Sequence, residues 1–159
     1  MRKFIQQKLK EQKGLTLIEL LAVIVILAII AAIAIPAIGN IIENSRYSAV
    51  KSDATNVLNA ANVYFTENPT ASSATLALIT SEGYLQSEGK FEPLDATTVT
   101  ITKANPMALT APAIDYSGGK LVEFDGATLD GITKDTTKGS SIGAGKTVTI
   151  STERTLPTP

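Results

Sequence analysis

At 159 residues with a formal net charge of −1, the chain has the length of about one domain. It contains no Cys and no His, which removes disulfides, thiolate chemistry and the commonest general base and metal ligand. Residues 1–14 hold Arg2, Lys3, Lys8, Lys10 and Lys13 against Glu11, a net of +4 that leaves the remainder at −5. An acidic body of that kind is a poor match for a phosphate backbone, so no direct nucleic-acid binding is expected.

Residues 1–14 read as a basic leader, and the apolar run starts directly after Gly14. Residues 20–38 carry no charge and only Pro36 interrupts their aliphatic and Ala sequence; roughly 19 such residues suffice to cross a hydrocarbon core of about 30 Å. The basic residues precede the span while Glu43, Arg46, Lys51 and Asp53 follow it in balance, which predicts a cytoplasmic N-terminus and a body outside the membrane. The apolar and membrane-core portion is placed at residues 15–42. A secretory signal would instead be cut after small residues, for which Ala32-Ile33-Ala34 is a candidate, but an equally apolar helix would then remain uncut.

The helical pattern continues through residues 43–68, where Val50, Ala54, Val57, Leu58, Ala61, Tyr64 and Phe65 recur at spacings of three and four. Asn68-Pro69 ends it, because the residue before Pro is pushed out of the helical region. Residues 75–82 (TLALITSE) predict a short second helix closed by Gly83. In the globular portion, residues 69–159, strands are predicted at residues 99–102 (VTIT), 121–124 (LVEF) and 147–150 (TVTI). Gly118-Gly119, Asp125-Gly126 and Gly143-Ala144-Gly145 supply turns, and residues 131–145 read as a surface loop. The fold class is α+β: a long N-terminal helix, its apolar half transmembrane, packed on a small antiparallel β-sheet.

One acid stands at the start of the apolar helix. Glu19 is costly in lipid, by roughly 2.5–3.5 kcal/mol near the bilayer centre and less toward the interface. Thr16-x-x-Glu19 fits a capping box, which satisfies the carboxylate locally, and the first helical turn favours an anion. Glu19 also suits an intermolecular role, pairing with an amine exposed by a cut between Gly14 and Leu15. The two readings are compatible. Pro36 removes the backbone hydrogen bond to Ala32; it reads equally as a packing kink or as a melting point that makes an assembly extensible.

Weaker signals point to ordinary surface. Asp125, Asp130 and Asp135 lack calcium-loop spacing and read as solvated acids. Lys120, Lys138 and Lys146 form at most a small basic patch without interleaved aromatics. Ser140-Ser141 beside Lys is common loop composition. No enzyme activity, no metal and no cofactor is expected.

Lys13-Gly14-Leu15-Thr16-Leu17-Ile18-Glu19-Leu20-Leu21 resembles the processing signal of type IV pilins and pseudopilins: basic leader, Gly, apolar residue, then Glu five residues after the cut. Pro36 stands where pilins carry a kinking proline, and Ser81-Glu82-Gly83-Tyr84-Leu85 is similar to a segment common between their helix and sheet. The resemblance covers about the first third of the chain. It implies the type IV pilin fold, cleavage by a prepilin peptidase between Gly14 and Leu15, and N-methylation of Leu15, where the family usually has Phe. It further implies assembly into a helical homopolymer through Glu19, Thr16 and Pro36, driven by an inner-membrane platform with a separate ATPase motor. The implied function is a structural subunit of a surface pilus (fimbrium) used in cell adhesion or motility. The alternative is a pseudopilin of a type II secretion or competence DNA-uptake system. The chain departs from the family in two respects. It has no Cys to close a C-terminal disulfide loop, and no Gly lies between Leu15 and Ile38 to loosen the helix.

Overall fold

A computed structural model describes residues 16–152. The chain divides into two compact units, Met1–Ile38 and Gly39–Pro159. One helix, α1 (Leu17–Glu67, 51 residues), runs from the first into the second and contains Pro36 without ending there.

The described part of the first unit is the apolar run of α1. Its side chains are exposed: Leu17 is 88% accessible and Ile33 and Ile35 are each 69%. A water-soluble surface does not carry an apolar expanse of this kind unless it is covered by lipid or protein. The helix is long and apolar enough to cross a membrane, and none of that run is buried.

In the second unit the same helix becomes amphipathic. Tyr47, Val50, Ala54, Val57, Leu58, Ala61, Tyr64 and Phe65 are buried in one core with Ile101, Leu109, Val122, Phe124 and Ile150, so the predicted stripe is the one that packs. Full burial of each large apolar side chain contributes about 1.5–3 kcal/mol. The helix ends at Glu67, ahead of Pro69.

Strand β1 (Ser73–Thr75) leads into α2 (Leu76–Ser81), whose first turn is capped by the Thr75 hydroxyl accepting from the Leu78 amide at 3.3 Å. Gly83, at φ +83°, lets the chain turn back so that the Tyr84 amide reaches the Ile79 carbonyl at 2.9 Å. A 3-10 turn (Gly89–Phe91) then buries Phe91 against Phe124, with ring centroids 5.8 Å apart. Strands β2 (Thr100–Thr102), β3 (Ala108–Ser117), β4 (Lys120–Thr128) and β5 (Thr147–Ser151) complete a five-stranded sheet in the order β1-β2-β3-β4-β5.

The first three pairings are antiparallel, but β5 lies parallel to β4, so the sheet is mixed where the sequence suggested an antiparallel one. The cause is the connection. A parallel pair needs a crossover of a dozen or more residues, and residues 129–146 provide it. They are no plain surface loop: they contain α3 (Leu129–Lys134) and a 3-10 turn (Gly139–Ser141), and they bury Ile132, Asp135, Gly139 and Ile142. Asp125-Gly126 is likewise no hairpin turn. It lies inside β4, with Gly126 at φ +62° beside a register shift opposite β3.

Candidate functional site

Gly14 and Leu15 lie outside the described residues. The site begins at Thr16, where the structure forms both halves of the capping box. The Thr16 amide donates to Glu19 Oε2 at 2.8 Å, the Thr16 hydroxyl donates to the same oxygen at 2.9 Å, and the Glu19 amide reaches Thr16 Oγ1 at 3.3 Å. The Thr16 carbonyl accepts the first helical bond, from Leu20 at 3.1 Å. Otherwise orphaned amides at the helix start are thus satisfied by two side chains. Among the described residues no donor reaches the second Glu19 oxygen, and Glu19 is exposed. All the groups of the box come from residue 16 onward, so a cut between Gly14 and Leu15 would leave it whole. Pro36 is exposed within the same apolar run, well removed along the helix from Glu19.

A second constellation was not legible in the sequence. Asp135, read there as a solvated acid, has a side chain with 0% exposure. Its carboxylate accepts from the Tyr47 hydroxyl at 2.7 Å, from the Thr137 amide at 3.1 Å and from the Thr137 hydroxyl at 2.5 Å, and pairs with Lys51 Nζ at 3.2 Å. Lys51 also donates to the Asp135 carbonyl at 2.6 Å. Burial alone would push the Asp135 carboxyl up, but the Thr137 and Tyr47 hydrogen bonds, with the Lys51 charge, outweigh it and hold the group below its ordinary value. Burial and the neighbouring Asp135 charge push the Tyr47 phenol well above the usual tyrosine range.

Around this anchor the crossover is fastened to α1 without a disulfide. The Tyr116 hydroxyl donates to the Gly139 carbonyl at 2.7 Å, its phenol pushed up to about 12 by burial and by the nearby Glu43 and Asp115 charges. The Ser140 amide donates to Asn44 Oδ1 at 2.9 Å, and Lys120 pairs with Glu43 at 2.6 Å. Tyr47 and Tyr116 meet edge to face at 5.3 Å. The Ser141 hydroxyl is spent on the Lys138 carbonyl at 2.7 Å. The Asp residues are not gathered: Asp125 lies in β4 opposite Ser151, Asp130 pairs with Lys134 at 2.8 Å, and Asp135 faces α1.

The family described as the prokaryotic N-terminal methylation motif matches residues 9–35. No curated protein and no solved structure matches the chain. The matched residues take in the Thr16 and Glu19 box and most of the exposed apolar run, and an α+β head follows them. Motif and architecture together support a type IV pilin- or pseudopilin-like prepilin.

Proposed function

We propose that the chain is a structural, major-pilin-like subunit of an extracellular type IV filament. Residues 1–14 are removed by a prepilin peptidase between Gly14 and Leu15, and the new terminus is methylated at Leu15. The precursor sits in the cytoplasmic membrane with its N-terminus inside and the head (residues 69–159, with residues 43–68 of the helix) outside. In the filament, residues 15–42 exchange lipid for copies of themselves.

The observation that supports this reading is an exposed carboxylate, half satisfied by its own helix, at the head of an exposed apolar run. Lipid and helix are similarly apolar, so the exchange gains little from the hydrophobic effect, and polar pairing must supply register. The free Glu19 oxygen receives the Leu15 ammonium of a neighbouring subunit, and registers that leave the acid unpaired are penalised. Extraction from lipid needs external work, supplied by an assembly platform and its ATPase.

Mass spectrometry of the mature chain checks the first step: a terminus at Leu15, with or without a methyl group, is expected. An intact leader, or a terminus after Ala34, would sink the filament reading. Electron microscopy of cells labelled through the head separates a long surface pilus from the short piston of a pseudopilin.

A further inference from the structure

The crossover gathers cations at the end of the head where α1 enters it. Hydrogen bonds from Ser140 to Asn44, from Tyr116 to Gly139, from Gly145 to Gly119 and from Leu121 to Lys146 bring residues 117–120 and 138–146 around residues 43–47 of the helix. Arg46, Lys120, Lys138 and Lys146 therefore share one region with Glu43 and Asp115. Lys120 is spent on Glu43, but Arg46, Lys138 and Lys146 enter no ion pair among the described residues and are exposed. The surface is locally cationic on a body whose net charge is negative.

The opposite charge lies farther along the same helix. The segment 82–95 carries Glu82, Glu88, Glu92 and Asp95 against Lys90, none of them ion-paired among the described residues. It is tied to α1 by the Lys90 amide on Asp53 at 2.9 Å and by the Tyr84 hydroxyl on Glu67 at 2.5 Å. Tyr47 and Glu67 are about 30 Å apart along a helix, several Debye lengths at physiological salt. Glu82, beside Tyr84 at the far end of the segment, therefore exerts little pull on the cationic end of its own copy.

We propose that the cationic corner of Arg46, Lys138 and Lys146 docks on the acidic segment 82–95 of a second copy of this chain. Each surface repels its own kind, so a two-fold contact of like with like is disfavoured. In the filament reading the contact is heterologous, and a heterologous contact that does not close generates an open helical assembly. It orients one head on the next and suppresses wrong registers by like-charge repulsion. The proposal rests on the filament reading, to which it adds the head surfaces that meet.

A charge swap in full-length chains expressed in cells tests it. Lys138→Glu with Lys146→Glu, or Glu82→Lys with Glu92→Lys, is expected to lower the yield of sheared filament about tenfold, with the combined reversal restoring most of it. Because the chain has no Cys, Lys146→Cys with Glu82→Cys gives a second readout that does not depend on yield: a cross-linked ladder between copies. Filaments from the parent chain, with neither loss on reversal nor a ladder, would overturn the docking while leaving the filament reading intact. Loss on Lys reversal that the acidic partner fails to rescue would also overturn it, and depletion of that variant from membranes would point to lipid phosphates. A parent chain that builds no filament condemns the filament reading and this proposal with it.

Discussion

The Tyr47 hydroxyl and the Asp135 carboxylate meet at 2.7 Å across 88 residues of sequence. Tyr47 lies on the helix and Asp135 at the end of α3, in the connection that makes β5 parallel to β4. The bond therefore ties the last part of the head to its first.

Asp135→Ala should cost about 3 kcal/mol, because it leaves the Tyr47 hydroxyl without its acceptor and the partly buried Lys51 ammonium without its counter-ion. Thermal unfolding of the full-length chain in detergent would show it as a lower midpoint. Lys51→Met together with Asp135→Leu should recover part of the loss, since an apolar pair leaves fewer polar groups stranded.

The same carboxylate makes stability depend on acid. Its folded value is lowered relative to the unfolded chain, so its contribution is complete above the ordinary Asp range of about 3.9 and disappears as pH falls through the lower folded value. The difference in unfolding midpoint between the parent and Asp135→Asn should therefore be flat near neutrality and shrink below about pH 4. A difference that persists unchanged into stronger acid would mean that the charge of Asp135 contributes nothing.

Gly139 is needed for space. A Cβ built there would stand 2.6 Å from Tyr47 Cβ, 2.8 Å from the Glu43 carbonyl oxygen and 3.2 Å from Tyr116 Cε2. Gly139→Ala should lower stability by about 1–3 kcal/mol through overpacking, read by chemical denaturation. Gly143→Ala serves as the control, since its nearest neighbour is the flexible Lys146 side chain at 3.5 Å.

The helix and its terminators were legible because they rest on local physics: the stripe from Val50 to Phe65, the Asn68-Pro69 stop, the Gly83 stop of α2 and the Thr16 and Glu19 box. What sequence reading missed depends on distant partners. β3 escaped it because ALTAPAIDYS places Pro112 inside a strand otherwise poor in β-branched residues, and the register against β4 shifts on both sides of that Pro. Asp135 looked like its exposed neighbours because nothing within a few residues marks it. Its partners Tyr47 and Lys51 are an entire head away in sequence, and the crossover that brings them together was read as a loop from its Gly and Thr content.

Lys103 closes the helix from outside. α1 has no basic residue in its last turn, yet Lys103 Nζ donates to the Pro69 carbonyl at 2.8 Å and to the Phe65 carbonyl at 3.3 Å, and lies 5.7 Å from the Phe65 ring centroid. A cation among the terminal carbonyls complements the negative end of the helix dipole. Lys103→Met keeps the stem and removes the charge, and should cost about 0.5–1 kcal/mol. Hydrogen exchange at the amides of residues 64–68 should quicken; an unchanged rate would reduce Lys103 to a solvated side chain.

Thr16 and Glu19 are joined by the bonds that define the capping box, and two substitutions separate the roles those bonds confound. Thr16→Val removes the hydroxyl and weakens the box by about 1 kcal/mol, but leaves the Glu19 charge and the Thr16-position amide that steadies it. Glu19→Gln keeps a side chain able to cap and removes the charge. If Glu19 serves the helix start alone, Thr16→Val should be the more harmful change and Glu19→Gln nearly silent. If Glu19 serves a neighbour's ammonium, the order reverses: Thr16→Val is processed and assembles near parent yield, while Glu19→Gln is processed at Leu15 and assembles poorly. We expect the second order, because a neutral amide cannot offer the charge that makes an unpaired register expensive. Mature-terminus mass and sheared-filament yield, measured on both variants in one strain, decide between them.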